Sequence, residues 1–463
     1  MKILFIIYDN EGDHNMMPLG SLYIASFLRK HGYKDVHFYN QDVYRYPDSH
    51  LTEFLSQHPY DVVGLGFVAG YFQHRKIISL CRAINQSKCR PFVVLGGHGP
   101  TPVPEFYLRE TQADAVVMGE GELPFLDLVK AVESGAGLAG VRGVAYREGD
   151  NIYVNERQKP IQNLEEIPFP YVEGIPMEYY ANAKPPADVR PTDRVISMIT
   201  GRGCNYKCNF CLRLEKGIRL RPMEAVVEEI KKYIREYNMS YFIFWDELFM
   251  VSEKRIVEFA DTILREDIKI RYWCTGRMNI VNEKILQLMK RSGCAYIDYG
   301  IEQFDNQALM AMNKKQTEEQ IIRGIEMTQK AGIPVAFNII FGNIGDTRES
   351  LKKSLELLKK YNDYGQMRVI RPVTPYPGTP LYYEALSRGL LSGPDDFYAK
   401  HLNLERLTVN FTDIPDDEFY RLMLAANTEI IEDYYSYMGK KLTARFEQVY
   451  FSGDNDFRGA RHS

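Results

Sequence analysis

The chain is 463 residues long, too long for one ordinary core and suited to two domains with connecting elements. It is 45% hydrophobic and 25% charged, the balance of a soluble globular protein, and no apolar run approaches the length needed to cross a bilayer. A formal net charge of −4 from intermixed signs leaves no electrostatic footprint for nucleic acid.

The opening "MKILFIIYDN" is apolar and then acidic, without the basic flank or cleavage site of a signal peptide, and is expected to form a first buried strand. Through about residue 135, short apolar runs ("KILFIIY", "DVHFYN", "DVVGLGFV", "PFVVLGGH", "ADAVVMGEGE") alternate with helical periodicity ("LGSLYIASFLRKHGY", residues 51–57, "HRKIISLCRAINQ"). Continuous apolar strands between helices predict a parallel, doubly wound sheet covered on both faces. Such sheets bind ligands at the carboxyl ends of their strands. Those ends carry Asp9 and Asn10, Gly66 with Phe67, Gly97 with His98, and Gly119 with Glu120.

Residues 136–190 change character, with a small hairpin in "GVRGVAYREGDNIYVNERQKPI" followed by a proline-rich stretch, and are expected to be a linker packed as a strap. From 191 to 390 strand–helix alternation resumes with longer helices. Strands are expected near 195–200, 240–245, 269–274, 295–301, 334–341 and 366–371. The first helix shows the pattern, with Val226, Val227, Ile230, Tyr233 and Ile234 on one face and Pro222 at its start. Six βα units predict an open, partial (β/α)6 barrel of the TIM type, the alternative being further doubly wound sheets. Residues 391–463 read as a helical region ending in a frayed tail, "FSGDNDFRGARHS".

Three of seven cysteines, Cys204, Cys208 and Cys211, fall in "GRGCNYKCNFCLR" directly after the first barrel strand. An odd number of cysteines without the spacing of a secreted scaffold points to a reducing compartment, hence the cytoplasm, and to metal-binding thiols. Three thiolates suit zinc or an iron–sulfur cluster. Zinc closed by histidine is disfavoured, because no histidine occurs between residues 99 and 400. Cys274 or Cys294 remains able to complete a site, although each sits where a cysteine usually packs as an apolar residue.

The run "CNYKCNFC" resembles the CxxxCxxC signature of radical S-adenosylmethionine (SAM) enzymes. That resemblance implies a 4Fe-4S cluster on Cys204, Cys208 and Cys211, with one iron free to chelate SAM. Further stretches resemble the SAM contacts of that superfamily. "FWDE" implies Asp246 and Glu247 for the amino group, "WCTGR" implies Arg277 for the carboxylate, and "YGIEQF" implies Glu302 for the ribose. "FNIIFGNIGD" implies Asn338, Gly342 and Asn343 beside adenine, "RPVTPYPGTP" implies Tyr376 there, and Phe210 precedes the last cysteine. The first 130 residues resemble the cobalamin-binding domains that precede some radical SAM barrels, through "MPLGSLYIASFLRKHGY", "VVLGGHGPTPVPE" and "ADAVVMGEGELPF". The resemblance implies cobalamin contacts at Asn15, Met17, Phe67, Gly97, His98, Gly119 and Glu120. The Asp-x-His-x-x-Gly pattern that supplies a cobalt ligand is absent, since Asp13 adjoins His14 directly, so His14 is expected to be a loop residue.

The function these resemblances imply is cobalamin-dependent radical SAM methylation of an unactivated carbon, with oxidation, cyclisation or ring rearrangement by the same cofactors as the alternative. A cofactor-sensing binding protein is the alternative of another class. The implied partners are a small-molecule, natural-product or lipid substrate and an electron donor such as a flavodoxin or ferredoxin.

Overall fold

The computed structural model describes residues 1–11, 16–183, 185 and 188–452. Its first layer is a sheet of β1 (Ile3–Ile7), β2 (Val36–Asn40), β3 (Val62–Gly66), β4 (Phe92–Gly96), β5 (Ala115–Val117), β6 (Val144–Glu148) and β7 (Asn151–Val154) in the order 2-1-3-4-5-6-7. The first five are parallel, and β6 and β7 add antiparallel. The hairpin that sequence assigned to a separate linker thus completes this sheet: β5 would otherwise be a bare edge, and Met118 N–H donates to the Gly143 carbonyl (2.8 Å) as the hairpin docks.

After the strap come β8 (Val195–Met198), the antiparallel pair β9 (Gly201–Cys204) and β10 (Gly217–Leu220), then β11 (Tyr241–Phe244), β12 (Arg271–Gly276), β13 (Cys294–Glu302), β14 (Val335–Phe341) and β15 (Ile370–Pro372). The six-stranded sheet runs 15-14-13-12-11-8, every pair parallel and every neighbour next in the chain apart from the inserted hairpin. β8 and β15 do not pair, so the barrel is open as expected from six βα units. Side-chain caps start its helices where the loops leave the strands: Ser252, Asn282, Asp305, Thr317, Thr347 and Thr379 each accept a backbone N–H of the first helical turn.

The hairpin β9–β10 was not expected, because its strands lack an apolar pattern. It exists because Gly203 (φ +90°) lets the two backbones close; a Cβ there would lie 2.2 Å from the Gly217 carbonyl oxygen. Its effect is to make the cysteine loop, residues 204–217, a closed loop on a rigid base.

The open edge of the barrel is covered by the helix Asp416–Ser452, which runs into the segment read as frayed; the rest of that tail, residues 453–463, lies outside the described residues. Asn427 takes both backbone groups of Ile370 on the short edge strand β15 (2.9 and 3.0 Å), and Phe419 stacks on Phe341 with centroids 5.1 Å apart. The strap joins the two layers. Ser26 donates to the Phe169 carbonyl (2.6 Å), Tyr180 to Asp42 (2.5 Å), and Arg221 lies over the Phe169 ring. One buried apolar cluster consequently runs from Phe5 and Leu22 through Ile175 and Tyr180 to Phe242 and Ile301. No helix among the described residues is long and apolar enough to cross a membrane.

Candidate functional site: a cysteine loop facing a glycine-lined cavity

The three thiols of the loop are not in disulfides. Cys208 is buried, Cys204 half-buried and Cys211 exposed. They lie within electrostatic reach of one another: although the Cys211 residue reaches solvent, the protein packed around its thiol first, then Cys208 and Cys204, push that thiol up to about 11, and Lys314 opposes them. Among the described residues, no three His, Cys, Asp or Glu groups converge on the position of a single ion. Three thiols on one closed loop, with no histidine beside them, are the donor set of a three-cysteine iron–sulfur cluster. Neither Cys274 nor Cys294 closes the site; both are buried in the apolar core.

Around the loop the strand ends supply polar groups. Arg277 is 5% exposed, lies 3.6 Å above the Tyr206 ring and donates to the Lys314 carbonyl, while its Nε is buried with no partner. An orphaned guanidinium N–H beside the cysteine loop fits a carboxylate-bearing cosubstrate. Glu302 sits at φ +69°, a left-handed conformation costly for a residue with a Cβ, where the β13–β14 register shifts. One of its oxygens accepts from Lys314 Nζ (2.9 Å). Glu247 faces the cavity described below and accepts from the Gly203 N–H; burial raises its pKa. Asn338 is exposed on the inner face of β14. Phe210 and Tyr376 belong to one apolar cluster, with Lys314 5.6 Å from the Phe210 ring.

Two residues expected at SAM have side chains bonded within the protein. Asp246 is buried, and both its oxygens accept from Thr200 N–H (3.1 Å each), one also from Thr200 Oγ1 (2.9 Å). Burial pushes its carboxyl up to about 6, and these bonds from the backbone hold it down. Asp246 therefore pins the base of the hairpin that carries Cys204, and its neighbour Glu247 is the carboxylate that opens onto the cavity. The Asn343 side chain is wholly buried in a reciprocal amide pair with Asn209 of the cysteine loop (2.9 and 3.0 Å), so it positions that loop.

Facing the loop is a cavity of about 750 Å³. The first sheet lines it with Gly66, Phe67, Gly97, His98, Gly119 and Glu120, and the barrel with Gly201, Arg202, Gly203, Trp245 and Glu247. At Gly66 a Cβ would meet no atom within 4 Å, so the β3 strand end presents bare backbone to the cavity and suits a large flat group laid against it. Burial lowers the pKa of His98, favouring the neutral ring. Two residues expected at cobalamin have side chains engaged within the protein. Met17 is packed in the core, and Met16, 59% exposed, lines the cavity instead. Glu120 lines the cavity, yet its carboxylate is taken by Arg202 (3.0 Å) and Arg219 of the hairpin. Asn15 and His14 lie outside the described residues. Arg202, Arg219, Asn209 and Lys314 carried no sequence signal, because each acts through a neighbour that only the fold supplies.

The fold and site define a radical SAM enzyme with a cobalamin-binding domain ahead of its barrel. The family models agree: residues 198–358 match the radical SAM superfamily and residues 9–129 the B12 binding domain. The chain is 32% identical over 405 residues to the uncharacterized methyltransferase PH0819 of Pyrococcus horikoshii, covering 84% of each. It is 27% identical to the anaerobic magnesium-protoporphyrin IX monomethyl ester cyclase of Rubrivivax gelatinosus, covering 83% of this chain and 70% of that one. Its fold is similar to that of TsrM from Kitasatospora setae, a radical SAM methyltransferase solved with cobalamin and a [4Fe-4S] cluster (TM-score 0.71, 18% identity, 85% of this chain and 76% of that one). The chain belongs to the cobalamin-binding radical SAM family, whose cofactors are a 4Fe-4S cluster, SAM and cobalamin.

Proposed function

We propose that this cobalamin-dependent radical SAM methyltransferase methylates an unactivated carbon of a small molecule, with the two halves of the chemistry meeting at Trp245 and Glu247. The observation that carries this reading is a cavity shared by the glycine-lined strand ends of the first sheet and the hairpin that bears Cys204. When bound, the cofactors supply the chemistry: reductive cleavage of SAM to methionine and the 5′-deoxyadenosyl radical at the cluster, and a methyl carrier in cobalamin.

The chain's own residues do the rest. Cys204, Cys208 and Cys211 hold the cluster; Glu247, Arg277, Glu302 and Asn338 orient SAM; Phe67, Gly97, His98 and Gly119 wall the cobalamin. Residues 1–135, with the hairpin β6–β7 completing their sheet, act as the cobalamin domain, the rest of 136–190 as the strap, 191–390 as the barrel and the helical region from 391 as the closure. The strap and the helix Asp416–Ser452 close the layers and keep water from the radical. A flavodoxin- or ferredoxin-like donor in the cytoplasm would supply the electron.

Methyl-deuterated SAM, given anaerobically with a reductant and a small-molecule extract, tests this. Deuteromethyl in a product, with one 5′-deoxyadenosine and one S-adenosylhomocysteine per product, is expected; an unlabelled, rearranged product would overturn methyl transfer. That outcome is the second reading, a cyclisation or oxidation, which similarity to the Rubrivivax cyclase favours.

Glu302→Gln is expected to weaken SAM binding about tenfold, since it removes a charge-assisted hydrogen bond while leaving an acceptor for Lys314. Equilibrium dialysis with labelled SAM checks it.

A further inference from the structure

Beneath the SAM-facing residues the barrel lumen contains a group that none of the proposed cofactor contacts uses. Asp298, Gly300 and Glu302 share the inner face of β13, with Asp298 deepest and in register with Thr275 of β12 and Ala336 of β14. Asp298 is half-buried and has no hydrogen-bond or ion-pair partner among the described residues. The two cations near it are committed elsewhere, Lys314 to Glu302 (2.9 Å) and Arg368 to Asp363 (2.8 Å). Burial and the Glu302 charge push the Asp298 carboxyl up to about 6.

The neighbouring strands bring aromatic faces to the same space. Trp273 of β12 meets Trp245 edge-on with centroids 4.9 Å apart, and Tyr296 of β13 at 5.9 Å. Trp245 spends its N–H on Ser197 (3.1 Å), whereas the Trp273 Nε1 is hidden without a partner. A lone, half-buried carboxylate on the same sheet face as Trp273, one register step away, is unfavourable unless something positive joins it, and an aromatic wall attracts the same charge.

We propose that this lumen seats the substrate and selects a planar, largely apolar ring system carrying a basic nitrogen, with Asp298 pairing the nitrogen and the two tryptophans flanking the ring. The inference rests on the methyl-transfer reading for its meaning, and it fits that reading spatially: Trp245 lines both the lumen and the 750 Å³ cavity, so a ring held here reaches the place where the methyl group arrives.

Isothermal titration of the anaerobically reconstituted enzyme, with cluster, cobalamin and SAM bound, tests it with three planar probes of one shape: benzamidine, benzamide and benzoate. Benzamidine is expected to bind at least about tenfold more tightly than benzamide, and benzoate least. Asp298→Asn should erase the preference and leave SAM affinity unchanged, which also shows that the variant is folded. Trp273→Phe should weaken benzamidine and benzamide alike. Equal affinities in the unaltered enzyme, a preference for benzoate, no benzamidine binding at millimolar concentration, or tenfold weaker SAM binding in Asp298→Asn would each overturn the proposal, the last by assigning Asp298 to the cosubstrate. The titration needs no turnover, so its result stands apart from the isotope test of methyl transfer.

Discussion

Cys208→Ala is expected to reduce SAM cleavage to background while the protein stays folded and still binds cobalamin. The cysteine loop does not depend on its sulfurs for shape. Asn209 N–H donates to the Met312 carbonyl (3.0 Å), Leu381 N–H to the Asn209 carbonyl (2.8 Å), and the Asn209 amide is locked to Asn343. Removing one buried sulfur therefore costs about 1 kcal/mol, the order of a buried methylene. The loss falls on the cluster, whose third iron has no substitute ligand in the loop. Iron content and the broad visible absorption of reconstituted protein should fall together, whereas the cobalamin spectrum persists because its cavity is lined by other residues. Cys274→Ala, a deletion in the apolar core, is the control that keeps cleavage. Undiminished 5′-deoxyadenosine from Cys208→Ala would refute the assignment.

What the sequence made legible was what local chemistry dictates. Apolar runs alternating with amphipathic helices specified parallel strands in both layers, and Glu247, Arg277, Glu302 and the glycines stand at or just after the ends of those strands. The cysteine spacing needed no fold at all to be informative. What escaped were residues whose role depends on a long-range partner. Asp246 and Asn343 sit in the right motifs, yet a motif does not say whether a carboxylate or amide points into the cavity or back at the chain. Here Thr200 and Asn209 settle the matter. The shift from Met17 to Met16 is the same kind of miss, since one residue of register decides which side chain enters the core. The hairpin β9–β10 escaped because its strands are made by a glycine permitting close approach, and four residues such as "GRGC" have no period to detect.

The largest stability effect is expected from Arg202→Met. Arg202 leaves β9 two residues before Cys204 and lies between Glu120 (3.0 Å) and Glu122 (2.6 Å) of the first layer, all three being 17% exposed or less. Arg219 of β10 also reaches Glu120. Two carboxylates brought this close in a shielded interface repel one another, and each has lost hydration, so the guanidinium between them is what makes the arrangement tolerable. Methionine keeps the stem's packing near Tyr23, over which Arg202 now lies, but leaves Glu122 with no cation. Breaking such a pair on one side costs on the order of 3–5 kcal/mol. Glu120 retains Arg219, so Arg219→Met alone should cost less, because Arg202 still serves both acids. In the double variant Arg202→Met with Glu122→Gln much of the loss should return, since the stranded charge is gone. Denaturation midpoints of the unaltered protein, Arg202→Met, Glu122→Gln and the double variant measure this cycle. The same ion cluster is also the direct tie between the loop after β5, on the cobalamin cavity, and the hairpin that ends in a cluster thiol. Arg202→Met should therefore raise the fraction of SAM cleaved without methylated product, a shift that a purely structural loss, lowering both together, would not give.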